Sequence, residues 1–164
     1  MRQPFLGSRV DTTMMIPESE LGVILDADGT ILGYTAVNDI RSRDLPCEDP
    51  LYVAYSKTFT RCLSFGPCIV PPEALPASGH WNVRCTVEQD GAVTWDERNT
   101  TRRRYRSWEE LLGALRDHNT LLAGTLYATG TVLTPLQTVH LRERDRMTIN
   151  IEGIGRLRNH VVDV

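Results

Sequence analysis

Short β-branched and apolar runs, each ended by a turn signal, fill this chain, and a helical period appears in one stretch only. That pattern constrains the fold most. Runs at Glu20–Leu25 and Thr30–Val37 flank Asp26-Ala27-Asp28-Gly29, and Phe65–Val70 is stopped by Pro71-Pro72. Trp81–Glu88 and Ala92–Asp96 flank Gln89-Asp90-Gly91, which reads as a hairpin turn. Further runs lie at Thr125–Thr129, Met147–Ile151 and Arg156–Val162. The exception is 107–118, where Ser107 and Glu110 have capping-box spacing and Trp108, Leu111, Leu112 and Leu115 form one apolar stripe. Strands without regular helix alternation argue against a doubly wound α/β fold. The pattern predicts a β-rich α+β fold with one clear helix near 107–118.

With 164 residues, 41% hydrophobic and 24% charged, the chain has the length and composition of one globular domain. No apolar run approaches the roughly 20 residues that span a bilayer, so no membrane partner is expected. A net charge of −3 speaks against a phosphate backbone as main partner, so no nucleic acid is expected. The basic knot Arg102-Arg103-Arg104 with Arg106 reads as solvated surface. Cys47, Cys62, Cys68 and Cys85 include no Cys-x-x-Cys pair, and Cys62 and Cys68 read as buried thiols. With no export signal, a reducing, cytoplasmic setting is the expectation. Of 18 basic residues only Lys57 is a lysine. Arg replaces Lys in most solvated roles but not where a compact ammonium is needed, so Lys57 is a candidate for chemistry. The plainer reading is an ion pair with Asp44 or Asp49.

Strand parity assembles a second candidate. Side chains at i and i+2 share a face, so Glu18 and Glu20 point the same way. A two-residue turn at Asp28-Gly29 would put Glu20 opposite Val37 and Glu18 opposite Asp39, and a four-residue loop keeps the parity. Glu18, Glu20 and Asp39 then share one face, where three like charges repel unless a cation holds them. Oxygen ligands without paired His or Cys favour Mg²⁺, Mn²⁺ or Ca²⁺ over zinc; the plainer reading of the pattern is a solvated hairpin face with acidic residues. The same stretch, Val23 to Thr30, looks like the first motif of haloacid-dehalogenase-type phosphatases, with Asp26 as nucleophile and Asp28 as general acid. A later lysine, a late acidic pair and βα alternation are missing, which disfavours that reading.

Several spaced blocks extend the pattern: Pro17-Glu18-Ser19-Glu20-Leu21, Gly33 to Asp39 with Ser42-Arg43-Asp44, Gly66-Pro67, Ala128-Thr129-Gly130-Thr131, and Ile151 to Asn159. Together they resemble the fumarylacetoacetate hydrolase superfamily. Asp49-Pro50-Leu51-Tyr52 leading to Lys57 is most similar to its branch of 2-keto-3-deoxy-sugar-acid dehydratases. The resemblance implies a mixed β-sandwich roll, with residues 1–164 as a single catalytic domain lacking the family's usual N-terminal portion. It also implies a divalent metal, usually Mg²⁺, on Glu18, Glu20 and Asp39, and a 2-oxo acid substrate. Lys57 falls on the site lysine, and Gly130 and Thr131 on the segment that contacts the substrate carboxylate. The implied reaction is dehydration of a 2-keto-3-deoxy sugar acid through a metal-stabilised enolate. Alternatives are a carbon–carbon bond hydrolase, isomerase or decarboxylase of dicarboxylic 2-oxo acids, or a non-catalytic binding or oligomerisation module. A homodimer is expected. Tyr55 replaces the branch's usual Gln, Val132 its usual Gly, and Pro46-Cys47 its Glu-Gly. His80, His118, His140 and His160 match no family motif and read as surface or packed residues.

Overall fold

In the computed structural model, which describes residues 5–45, 50–103, 106–135 and 139–164, three sheets form the framework of the fold. A five-stranded sheet runs in the order β1 (Phe5–Ser8), β11 (Gly155–Asp163), β10 (Arg146–Ile151), β7 (Asn82–Gln89), β8 (Ala92–Thr100). A four-stranded sheet runs β6 (Leu63–Val70), β4 (Ile31–Asp39), β3 (Ser19–Leu25), β9 (Thr125–Leu133). A short ribbon pairs β2 (Met15–Ile16) with β5 (Arg41–Ser42). Only β1 and β11 pair in parallel, so the five-stranded sheet is mixed, as expected, and the others are antiparallel.

The alternation of each strand decides what it buries. On β7, Val83, Cys85 and Val87 point inward, and on β10 Met147, Ile149 and Ile151 do, while their neighbours form the sheet's outer face. All but Val87 meet Leu21, Val23, Leu25, Tyr34 and Ala36 of the four-stranded sheet, and Val87 joins a second cluster with Leu6, Met15, Ile40 and Val161. Burying each large apolar side chain stabilises the fold by roughly 1.5–3 kcal/mol. Every residue of β3 is buried, as suits a central strand. Gly22 on this strand meets a close approach, since a Cβ there would lie 2.5 Å from Val37 Cγ2.

Helix α2 (Trp108–Arg116) forms where the stripe predicts it, with Ser107 as N-cap and both halves of the capping box present. Leu112 is buried in the core, and Trp108 and Leu115 pack against it. A one-turn helix, α1 (Tyr52–Tyr55), buries none of its residues. No helix among the described residues is long and apolar enough to cross a membrane.

Two sequence readings need correction. Cys85 is buried, but Cys62 is half-buried and Cys68 exposed. β6 is the edge of its sheet, so Pro67, Cys68 and Ile69 face outward despite their apolar run. Cys47 lies outside the described residues. The hairpin turn also differs. Asp26 N–H donates to Thr30 O and Gly29 N–H to Asp26 O, with Gly29 at φ 79°, which is a three-residue loop with a glycine in the left-handed region. A bulge then shifts the pairing from Leu25 opposite Ile31 to Ile24 opposite Gly33. The two irregularities cancel, and Glu20 lies opposite Val37 as parity predicts.

Candidate metal centre

Antiparallel pairing of β3 with β4 builds the site. Ser19 and Asn38 oppose each other and point into the protein, so Glu18, Glu20 and Asp39 emerge on the other face. Asp39 N–H donates to Glu18 O at 3.1 Å, carrying the pairing past the end of β3. One carboxylate oxygen from each of Glu18, Glu20 and Asp39 lies within 4.8 Å of the other two. Glu18 and Glu20 are buried, and Asp39 is mostly so.

Cations and donors surround these acids. Lys57 Nζ sits 2.7 Å from Glu18 Oε2 and 2.5 Å from Asp39 Oδ2. Lys57 therefore pairs with two of the three acids rather than with Asp44; Asp49 lies outside the described residues. Arg41 Nε is 3.1 Å from Glu18 Oε1. Sequence reasoning missed this ion pair, although the i, i+2 rule applied to Asp39 reaches Arg41. β9 supplies the third side. Thr131 lies opposite Glu20, Gly130 N–H donates to Glu20 Oε2 at 2.9 Å, and Thr131 Oγ1 lies 3.5 Å from Glu20 Oε1.

Burial pushes the Glu20 carboxyl up to about 7. The Gly130 N–H opposes that rise, the Asp39 charge adds to it, Lys57 opposes it and Glu18 adds to it. Burial disfavours the Lys57 ammonium too, but its hydrogen bonds to Asp39 and Glu18 overcome this and raise its pKa. Lys57 thus stays protonated at neutral pH. Three nearly buried carboxylates with oxygen donors only, one of them reluctant to ionise beside the others, suit a hard divalent cation.

Gly130 and Thr131 also line a cavity of about 370 Å³ with Asn99, Thr100, Arg106 and Leu111; the three carboxylates and Lys57 are not in its lining. The remaining candidates fall elsewhere. Asp26 accepts from Asp28 N–H and Thr30 N–H, which makes it a turn residue and leaves the phosphatase motif without its nucleophile. Tyr55 is exposed, with the Arg9 guanidinium 4.2 Å from its ring centroid. Arg102 and Arg106 are exposed; Arg104 lies outside the described residues. His118 and His160 are exposed and His80 and His140 half-buried.

Comparison with known proteins finds two dehydratases among the curated relatives of this chain. The "Probable 2-keto-3-deoxyxylonate dehydratase" of Haloferax volcanii is 41% identical over 97% of this chain and 55% of its own length. The 2-dehydro-3-deoxy-D-arabinonate dehydratase of Saccharolobus solfataricus is 35% identical over 91% of this chain and 50% of its own. A solved 2-keto-3-deoxy-D-arabinonate dehydratase, complexed with magnesium and 2,5-dioxopentanoate, superposes with a TM-score of 0.95. It is 32% identical and covers 99% of this chain, which in turn covers 58% of it. The chain spans about half the length of the curated relatives it matches. Residues 17–162 match the sequence profile described as fumarylacetoacetate (FAA) hydrolase C-terminal, and the chain belongs to that family.

Proposed function

We propose that this chain carries the metal centre of a 2-keto-3-deoxy-sugar-acid dehydratase, with Glu18, Glu20 and Asp39 as ligands to one divalent ion, Mg²⁺ before Mn²⁺ or Ca²⁺. The observation that carries the reading is the meeting of three carboxylate oxygens within 4.8 Å, in a chain 41% identical to a relative with that name. When bound, the ion would supply Lewis acidity to the keto oxygen of a 2-oxo acid.

The chain's own groups do the rest. Gly130 N–H and Thr131 Oγ1 hold the Glu20 carboxylate in one orientation, and the same segment faces the substrate carboxylate. Lys57 keeps its proton on Nζ and offers a fixed positive charge where negative charge grows as the C3 proton leaves. Loss of the C4 hydroxyl with that proton releases one water and leaves the carbon skeleton intact.

Calorimetric titration of Mg²⁺ or Mn²⁺ into the wild type and Glu20→Ala tests the site. Binding by the wild type alone is expected, and equal binding by both removes it. Incubation with 2-keto-3-deoxy acids and Mg²⁺ should yield a product lighter by one water, whereas two carbon fragments would refute dehydration.

The same proposal includes a single catalytic domain, a homodimer and a cytoplasmic setting. Leu51, Tyr52, Val53 and Tyr55, all exposed, supply apolar surface of the kind that association covers. A monomeric mass by light scattering would refute the dimer. The free thiols Cys62, Cys68 and Cys85 suit a reducing compartment, and cell fractionation checks it.

A further inference from the structure

The outer face of the five-stranded sheet has no part in the chemistry above. Its side chains form rows across the strands. Arg156 on β11 opposes Asn150 on β10, which opposes Arg84 on β7, which opposes Arg98 on β8. In the next row Arg158 opposes Thr148, which opposes Thr86, which opposes Asp96. Adjacent strands lie about 4.8 Å apart. The stems of Arg156 and Arg158 thus rise about 10 Å from that of Arg84, with Thr148 and Asn150 as a polar floor between them.

We propose that this cradle binds a phosphoryl group, as inorganic phosphate or a small phosphate ester. A cavity of about 260 Å³ lies there, with Arg84, Arg156, Arg158, Thr148 and Asn150 in its lining. Neither Arg156 nor Arg158 is ion-paired among the described residues. Asp96 holds Arg84 upright through Nε and Nη2, at 2.8 and 2.6 Å, which leaves Nη1 uncommitted by that pair. The carboxylate in the lining, Glu88, is taken up by Arg146 Nη1 at 2.8 Å.

A second observation points to a ligand. Thr148 is only 9% exposed, and its hydroxyl has no hydrogen-bond partner. A buried hydroxyl left unpaired is costly, and Thr148 is one of the residues that line this cavity. Guanidinium forks on two sides and a hydroxyl below match a tetrahedral dianion with several acceptor oxygens.

The test is an NMR titration of the ¹⁵N-labelled protein with inorganic phosphate and with glycerol 3-phosphate, at physiological ionic strength. Saturable shifts on β10 and β11 are expected. Tighter binding of one probe names the source of the phosphoryl group. Arg158→Gln should weaken binding about tenfold, as expected for loss of one charge-assisted donor pair. Thr148→Val should weaken it severalfold, and Arg102→Gln, an exposed arginine outside the cradle, should leave it unchanged. Both cradle variants alter the sheet's outer face, and unchanged melting temperatures confirm their folding; Arg156→Gln replaces either one that fails that check. Absence of saturation, equal affinity in all variants, or succinate binding as tightly as phosphate would overturn the proposal.

Discussion

With two carboxylate oxygens within 2.7 Å, Lys57 balances negative charge that would otherwise repel within the sheet face. Its rarity in an Arg-rich chain marked it out, and the structure gives the physical reason. Its compact ammonium donates to both acids from a single nitrogen. Lys57→Met keeps most of the stem and removes the charge. Without divalent ions the variant should lose about 1–3 kcal/mol, the usual cost of removing one partner of buried charged hydrogen bonds. Saturating Mn²⁺ should restore most of that loss by supplying the missing positive charge. In the proposed reaction turnover should still fall roughly 10²–10³-fold, because that reading gives the Lys57 charge a part in stabilising the enolate that the ion does not take over. Thermal melts with and without Mn²⁺, paired with turnover, check both halves. A variant as stable as the wild type without metal would refute the first, and an undiminished rate the second. At this scale the three acids and Lys57 were legible from parity and composition. Arg41 was equally available by parity and went unread, because an arginine among seventeen carries no compositional signal.

At the scale of elements, two Asp-Gly turns show what local sequence can and cannot fix. Asp90-Gly91 forms the two-residue turn, both residues at positive φ, between Gln89 and Ala92. Asp28-Gly29 does not, because the Asp26 carboxylate accepts from two backbone N–H groups, at 2.9 and 2.7 Å, and locks a longer loop. The dipeptide was the same and the upstream acid decided. The β2–β5 ribbon and α1 escaped sequence reading because two- and four-residue elements have no period to detect. The ribbon depends on Asp44. Burial would raise its pKa, but hydrogen bonds from Ser42, Thr12 and the Thr13 N–H hold the carboxyl well below its ordinary value of 3.8. A carboxyl depressed in the folded state stabilises the protein above its unfolded pKa, and that stability is lost as pH falls through the folded one. Stability should therefore decline from about pH 4 downward. Asp44→Asn should cost about 1–2 kcal/mol at neutral pH and flatten that acid limb. Urea melts across pH settle the point, and an unchanged acid limb would refute it.

At the scale of the whole molecule, the two larger sheets meet through a polar seam where hydrophobic patterning alone would place apolar side chains. Ser19, Asn38, Ser64 and Asn159 are all 0% exposed. Asn159 Nδ2 donates to Ser64 Oγ at 2.8 Å, and Asn38 Nδ2 lies 2.9 Å from Met147 Sδ and 3.4 Å from Asn159 Oδ1. Sequence could not reveal this seam, because it joins residues 95 and 121 positions apart and depends on which sheet faces cover each other. It lies directly behind the carboxylates: Ser19 separates Glu18 from Glu20, and Asn38 precedes Asp39. Hydrogen bonds across the seam fix how the strands that carry the acids stand against the opposite sheet. Asn159→Leu would leave the Asn38 amide without its oxygen acceptor in a buried setting, at a cost of about 1–3 kcal/mol. If the seam positions the site, Mn²⁺ affinity should fall with it. Leu157→Ala provides the contrast, since it opens a cavity in the same strand at a cost of about 2–5 kcal/mol without touching the seam. Electron paramagnetic resonance of bound Mn²⁺ would then show weakened binding in Asn159→Leu and near-normal binding in the equally or more destabilised Leu157→Ala. Equal loss in both would make the effect one of stability alone, and no loss in Asn159→Leu would mean that the strands hold the acids without the seam.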